Sequence, residues 1–304
     1  MSTTNFSPPS VFKEKDKLQH LGNATELREL RDLYRLNWPI NSIGFYTLQN
    51  YYCWLTAEPR DKLENLHIYT LNGDWRKDGL YLIMDRYQLF FNTLQTPNNE
   101  KARLERALKL LDWSKGYKVT AIPQKHIHTA VAIVQRFKLE PRKATLNIYR
   151  MSKAKALKLQ THCPSGFKLH RLTVNDANTV NELWDNRQPG SLFFIKLYIK
   201  YNISMAISRV DTDELVAWCT RCQAGFLGTL KVKPAYERQG FASLVVKAFA
   251  HEVAAAGDDV LSVVHEHNEA SNALFTKLGF DMQSNTFHIR AFPNNEFIQW
   301  TDDA

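Results

Sequence analysis

The chain has 304 residues and a mass of 35.2 kDa; 44% of its residues are hydrophobic and 23% are charged. This balance is typical of globular proteins and excludes a chain that is disordered as a whole. The length predicts one large domain or two of moderate size, each able to bury a core. No stretch approaches the roughly 18 consecutive apolar residues of a membrane-spanning helix, so we expect no membrane partner.

The net charge of +8 and the pI of about 9.2 come from one half of the chain. Residues 1–150, the first half, carry 23 basic and 15 acidic side chains, whereas residues 151–304, the second half, carry 16 of each. The basic residues of the first half are scattered and form no dense run. We therefore expect a field that attracts anions, and we do not expect a nucleic-acid partner.

The few cysteines indicate the compartment. There are four, and the N-terminal segment lacks the apolar core of a secretory signal, so we expect a cytoplasmic protein, with a mitochondrial location as the alternative. Cys219 and Cys222 form a CxxC in an apolar, strand-like run with no second ligand pair nearby. We therefore predict two packed cysteines and no metal site.

The first half alternates helices and strands and is followed by a polar segment. Apolar periodicity predicts helices over residues 25–38, 98–113 and 124–137, and strands over residues 66–71, 79–85, 117–122 and 144–149. Residues 151–164 are largely polar and run into Cys-Pro-Ser-Gly, which indicates a linker. We therefore expect a first domain at residues 1–150 and a second at residues 165–304.

The second half mixes hairpins with one βαβ crossover. Strands are predicted over residues 167–172, 204–209, 214–222, 226–233, 260–266, 286–290 and 296–300, and helices over residues 173–186, 191–201, 239–256 and 268–278. Because strands outnumber helices and both connection types occur, the expected fold class is α+β, or mixed α/β.

The residues with chemical meaning lie between positions 227 and 280. A strand runs through Pro234 into Glu-Arg-Gln-Gly-Phe-Ala (residues 237–242), which opens a long helix. Such a loop binds anions, because free backbone N–H groups and the positive end of the helix dipole face the same point. Gly240 and Ala242 leave room for a pyrophosphate to approach the backbone.

The continuation makes the pattern specific. V-x-P-x-Y…R-Q-G-x-A, then a helix and a strand, then N-x-x-S-x-x-L-F-x-x-x-G-F resembles the acyl-CoA-binding core of the GNAT superfamily of N-acyltransferases, over roughly residues 165–300. The P-x-Y with its later glycine and the triplet 268–270 (Asn-Glu-Ala) are similar to the glycine N-acyltransferase-like branch. The resemblance implies two GNAT-like units in tandem, each a mixed, mostly antiparallel sheet flanked by helices. The first unit would be degenerate, because residues 122–126 precede its helix without a glycine, and would have no CoA site.

The resemblance also implies which residues bind acyl-CoA, the expected cosubstrate. The backbone of the strand that ends at Val232 would hold the pantetheine arm and the acyl carbonyl, and the loop N–H groups would hold the pyrophosphate. The implied set is Leu230, Val232, Arg238, Gln239, Gly240, Phe241, Ala242, Asn268, Ser271 and Phe275. A plain helix N-cap explains Asn268 equally well, and the two roles are compatible.

Two residues depart from the family pattern. Glu237 occupies a loop position that is usually Arg or Gln, and Phe275 stands where many members have a tyrosine that protonates the departing CoA thiolate. Phenylalanine cannot donate a proton. A thiol has an ordinary pKa of about 8.5, so the thiolate can leave without a dedicated acid.

The attacking amine must be neutral, so a base is expected, acting directly or through water. Ala235 stands where the glycine-conjugating relatives have a glutamate, which leaves Glu237, His265 and Glu266 as candidates, of which at most one is expected to act. Alternation along the strand puts His265 and Glu266 on opposite faces. The ordinary histidine pKa of about 6.5 suits a base, and a surface histidine at a strand end is the alternative explanation of His265.

These residues predict the transfer of an acyl group from a CoA thioester to the amine of a small acceptor, glycine or another amino acid or amine. The reaction would proceed by direct attack in a ternary complex. The alternative, motivated by Ala235, Glu237 and Phe275, is an acyl-CoA-binding module that has lost catalysis.

Overall fold

A computed structural model describes residues 15–57, 63–94 and 97–295, and a single sheet of twelve strands organises these residues. The strands are β1 (Leu18–His20), β2 (Leu66–Leu71), β3 (Tyr81–Asp85), β4 (Gln88–Asn92), β5 (Tyr117–Pro123), β6 (Arg142–Met151), β7 (Phe167–His170), β8 (Ser204–Arg209), β9 (Leu215–Arg221), β10 (Phe226–Val232), β11 (Val260–His265) and β12 (Asp281–Ala291). The helices are α1 (Ala24–Leu33), α2 (Ser42–Ala57), α3 (Trp75–Asp78), α4 (Pro97–Lys109), α5 (Ile127–Arg136), α6 (Lys153–Ala156), α7 (Ala177–Glu182), α8 (Ser191–Tyr201), α9 (Phe241–Ala255) and α10 (Glu269–Lys277).

The two halves of the chain exchange strands at the centre of the sheet. The strand order is β1-β2-β3-β4-β5-β12-β6-β11-β10-β9-β8-β7. The last strand, β12, pairs antiparallel with β5 and β6, and β6 in turn pairs antiparallel with β11. A strand from each half therefore lies among the strands of the other half. The predicted limits of the two domains along the sequence stay a prediction.

Helices cover both faces of the sheet. On one face, α1, α2, α7 and α8 share a single buried cluster with side chains from both halves, including Tyr51, Trp54, Phe194 and Trp218. On the other face there are two separate clusters: α4 and α5 pack on strands of the first half and on β12, and α9 packs with strands of the second half and with β6. The shared cluster is thus one place where side chains of both halves meet.

Several elements differ from the prediction. The predicted helix over residues 25–38 is α1, which begins at Ala24, ends at Leu33 and is capped by Asn23. Neither β1 nor β4 was expected, and neither was α2, which is apolar around most of its circumference because it is buried between the two halves. The predicted strand over residues 286–290 is part of the longer β12, and the one over residues 296–300 lies outside the described residues.

The two cysteines of the CxxC occupy different elements. Cys219 is buried within β9, whereas Cys222 follows the last residue of β9 and is half-buried. Both are free thiols. Among the described residues, no three His, Cys, Asp or Glu side chains come close enough to hold a metal ion. In the same part of the chain, no helix has the length and apolar character needed to cross a bilayer.

Candidate active site

The centre of the second half is a cleft between two parallel strands. β10 and β11 pair only at residues 226–227 with residues 261–262 and separate beyond them. On its other edge, β10 has a register shift between Gly228 and Lys231, and Thr229 within it has a positive φ of 49°. A β-bulge of this kind bends its strand, so β10 turns away from β11 and the cleft opens.

The open edge of β10 offers backbone donors to the cleft. The Lys233 N–H donates to the Val216 carbonyl at 2.9 Å, on the side of β9. Because N–H groups alternate between the two edges of a strand, the Val232 N–H points to the opposite edge. Among the described residues, that edge has no strand partner beyond Leu227. The Val232 N–H is therefore available to a group in the cleft.

The loop that follows β10 forms a concavity at the start of α9. Arg238 and Gly240 both have left-handed backbone conformations, with φ of 59° and 86°. The Leu244 N–H donates to the Gly240 carbonyl at 3.1 Å, so the N–H groups of residues 241–243 have no partner within the helix. A Cβ at Gly240 would meet no atom within 4 Å, so the loop has open space at this residue. Successive free N–H groups in such a turn bind anions.

Tyr236, the tyrosine of the P-x-Y motif, anchors the loop through its contacts with Glu214 and Phe241. Its hydroxyl donates to Glu214 Oε2 at 2.7 Å, and its ring lies edge-on to Phe241, with centroids 6.2 Å apart. Lys233 Nζ is 3.1 Å from the other oxygen of Glu214. These contacts fix both ends of the loop, while Glu237 between them is exposed to solvent.

A cavity of about 420 Å³ continues from the cleft to the face of the sheet that both halves share. Of the residues predicted from the sequence, five line it: Leu230, His265, Asn268, Ser271 and Phe275. The loop residues 237–242 and Val232 lie outside its lining, around the start of α9. The cavity thus joins the strand edge to the side of the sheet that carries α7 and α8.

The three candidate bases lie in different surroundings. His265, the last residue of β11, is exposed and lines the cavity. Glu266 and Glu237 do not line it. The carboxylate of Glu266 lies 3.3 Å from the imidazole of its neighbour His267, at the surface. Of the three, His265 is therefore the one that faces the cavity.

Asn268 and Phe275 border the cavity from α10. The Asn268 side chain caps this helix by accepting from the Ser271 N–H at 3.0 Å. Phe275 is 2% exposed and stacks on Tyr149 of β6, with ring centroids 5.7 Å apart. The Tyr149 hydroxyl donates to Asn272 Oδ1 at 2.9 Å. A strand of the first half therefore holds α10 in place.

The wall opposite β10 was missed by the sequence reasoning. It contains Lys118 of β5 and His288 of β12. The pKa of Lys118 is lowered to about 8, mainly by burial and secondly by the positive charge of the nearby Arg290. The pKa of His288 is lowered to about 3, mainly by burial and secondly by the positive charge of Lys118. The His288 Nδ1 accepts a hydrogen bond from the Ala121 N–H at 3.0 Å. His288 is therefore neutral at physiological pH.

The chain is similar to proteins of known fold. Residues 204–289 match the family model described as FR47-like protein. A Drosophila protein of known structure is 26% identical, with a TM-score of 0.82; the match covers 92% of this chain and 99% of the other. A tandem GNAT protein from the clavulanic acid biosynthesis pathway is 13% identical, with a TM-score of 0.55 and coverage of 91% and 98%. A GCN5-related N-acetyltransferase-like protein from Streptococcus suis is 16% identical, with a TM-score of 0.52 and coverage of 89% and 100%. No curated protein matches the chain.

These similarities define the fold of the protein. The fold is two GNAT-like units in tandem, and the mixed α+β class predicted from the sequence is confirmed. The stretch that matches the FR47-like family model, residues 204–289, contains both motifs found in the sequence, at residues 234–242 and 268–280.

Proposed function

We propose that the protein is an acyl-CoA-dependent N-acyltransferase of the glycine N-acyltransferase-like type, with a small amine or amino acid as acceptor. One observation carries the proposal: the open edge of β10 leads directly into the loop at the start of α9. A thioester carbonyl and a pyrophosphate need donors at two separated points, and this strand and loop supply both.

Binding of acyl-CoA uses the backbone more than side chains. The pyrophosphate accepts from the N–H groups of residues 238–242, and the exposed Arg238 offsets the charge of Glu237. The pantetheine arm lies between β10 and β11, bordered by Leu230 on one side and by Asn268, Ser271 and Phe275 on the other. The acyl group then enters the cavity.

The chemistry is direct transfer. The lone pair of a neutral amine attacks the thioester carbonyl, and the Val232 N–H stabilises the oxyanion that forms. The C–S bond then breaks, and CoA leaves as the thiolate because Phe275 has no proton to give. The amine proton passes to His265, directly or through water, and the products are an amide and CoA.

A second candidate is an acyl-CoA-binding module without turnover. The buried ring of Phe275, in the place of the family's tyrosine, favours it, as does Ala235 in the place of the glutamate. One experiment separates the two. Acetyl-CoA, hexanoyl-CoA and benzoyl-CoA are titrated calorimetrically into the full chain, and each is then incubated with glycine, glutamine and methylamine for product detection by mass spectrometry. Binding with an N-acylated product supports transfer, binding without product supports the module, and no binding overturns both.

A further inference from the structure

Four side chains form a row on the cavity wall opposite β10. The strand registers pair Gln88 with Lys118, and Lys118 with Arg290. They also pair Arg290 with Arg142 on β6. Directly paired residues project from the same face of a sheet, and all four residues line the cavity. Three of the four are cations, so this wall is strongly basic.

Lys118 is the cation of this row that the protein leaves uncompensated. It is half-buried, and within the described residues its ammonium has neither an ion pair nor a side-chain hydrogen bond. Asp185 is the only acidic residue among the described residues that line the cavity. Its carboxylate is already paired with Lys231, at 2.8 Å. A pKa lowered to about 8 leaves Lys118 mostly protonated at neutral pH. Even a half-buried cation without a counter-ion is costly, which indicates an anionic ligand.

An amide in the same cavity supports a polar ligand independently. Gln188 Oε1 is buried and has no hydrogen-bond partner among the described residues. Because buried polar atoms are almost always hydrogen-bonded, this oxygen indicates a ligand with a hydrogen-bond donor. An amino acid has such a donor in its amine, beside its carboxylate.

We infer that the acceptor carries an acidic group, such as the carboxylate of an amino acid, and that Lys118 binds this group. The inference rests on the proposed function and adds a specificity-determining residue to it. Lys118 belongs to the half of the chain that has no glycine-containing phosphate loop. That half therefore provides the acceptor wall of the site, and the basic surplus of the first half includes the residue that selects the substrate.

The test compares acids with their decarboxylated counterparts. Full-length wild type, Lys118→Met and Lys118→Arg are assayed with glycine against methylamine and with glutamine against 4-aminobutanamide. Lys115→Met is the matched control, because Lys115 is exposed and lies three residues away. Each pair is compared between variants at one pH, so the different basicities of the amines cancel. Melting temperatures verify folding, and Met in place of a half-buried ammonium without a counter-ion is not expected to lower them.

For Lys118→Met we expect kcat/KM for the acids to fall about 30- to 100-fold, mainly through KM, as for a lost charge-assisted hydrogen bond. The amines and the KM for acyl-CoA change less than threefold, and Lys118→Arg retains a preference for acids. An equal loss for acids and amines, or no loss, overturns the inference. If no acceptor is acylated, the proposed function fails. The carboxylate site is then tested separately, by calorimetry of glycine and glutamine with the CoA-saturated protein. Binding that Lys118→Met abolishes supports the carboxylate site, and binding that it leaves unchanged overturns it.

Discussion

Gly116, just before β5, lies against Ala291 at the end of β12. A Cβ added to Gly116 would be 2.1 Å from the Ala291 carbonyl oxygen, and Gly116 has a φ of 71°. No side chain fits between two backbones at this distance. The contact therefore joins the first half of the chain to the last strand of the second half. A substitution at Gly116 tests whether this strand exchange contributes to stability.

Gly116→Ala is expected to destabilise the protein by about 3 kcal/mol or more, because the methyl group clashes with backbone that cannot rotate away and the left-handed conformation adds strain. Gly166→Ala is the matched control: Gly166 has a φ of 83°, but a Cβ there meets nothing within 4 Å. Its cost is about 1 kcal/mol, from strain alone. Urea unfolding of both variants measures the difference. Equal losses would show that the contact between β5 and β12 is not as close as described.

Gly240→Asp is expected to raise the Kd for acyl-CoA at least 30-fold, because a carboxylate in front of the loop repels the pyrophosphate and occupies its space. Gly257→Asp is the control. Gly257 follows the other end of α9, has a φ of 98° and also has open space around it. Calorimetry with acetyl-CoA measures both. Similar Kd values for the two variants would place the pyrophosphate elsewhere.

His265→Gln is expected to lower kcat about 100-fold, because the amine loses its proton acceptor. The Kd for acyl-CoA should stay the same, because the backbone groups that bind acyl-CoA are unchanged. His267→Gln is the control, since His267 lies two residues away, is highly exposed and pairs with Glu266 outside the cavity. Steady-state rates and calorimetry together separate the two effects. A fall in kcat of similar size in both variants would exclude His265 as the base.

Stability is expected to decrease as the pH falls from 6 to 4.5. Burial lowers the pKa of both His126 and His288 to about 3, so the unfolded chain binds two more protons in this range. Burial also raises the pKa of Asp85 to about 6, so the folded state binds one proton that the unfolded chain does not. The unfolded chain therefore binds about one proton more than the folded state. The free energy of unfolding falls by roughly 1.4 kcal/mol for each unit by which the pH is lowered.

Asp85→Asn tests the sign of this balance. The Tyr51 hydroxyl donates to Asp85 Oδ2 at 2.8 Å, and the asparagine oxygen can accept the same bond. Removing the opposing proton leaves only the two histidines, so the slope should steepen to about 2.7 kcal/mol per pH unit. Chemical unfolding at half-unit pH steps measures it. A slope that is unchanged or shallower in Asp85→Asn would contradict the pKa assigned to that carboxyl group.

The parts of the site that follow one another along the chain could be predicted from sequence. The β10 strand, the loop to Gly240 and the cap at Asn268 are contiguous motifs whose geometry is set by local backbone preferences. Lys118 and Gln88 could not be predicted in this way. They reach the cavity only because β12 crosses to pair with β5, a long-range pairing with no local pattern. A lysine among the apolar residues of β5 was the one available signal.

The strand exchange and α2 were missed for a related reason. The helix α2 has no amphipathic stripe to detect, because both halves of the chain bury it. The sequence of β6 shows only that it is a strand, and its position between β12 and β11 depends on contacts with residues more than 100 positions away. Periodicity describes one element at a time, so it predicts neither feature.

The measurement that tests the central claim most directly is thiol release from acyl-CoA as a function of acceptor amine concentration, in wild type and Gly240→Asp. The account predicts release that rises and saturates with amine in the wild type, with one N-acylated product per thiol, and that falls at least 30-fold in the variant at low acyl-CoA. Release that never exceeds hydrolysis in buffer for any pair of acyl-CoA and amine would contradict it.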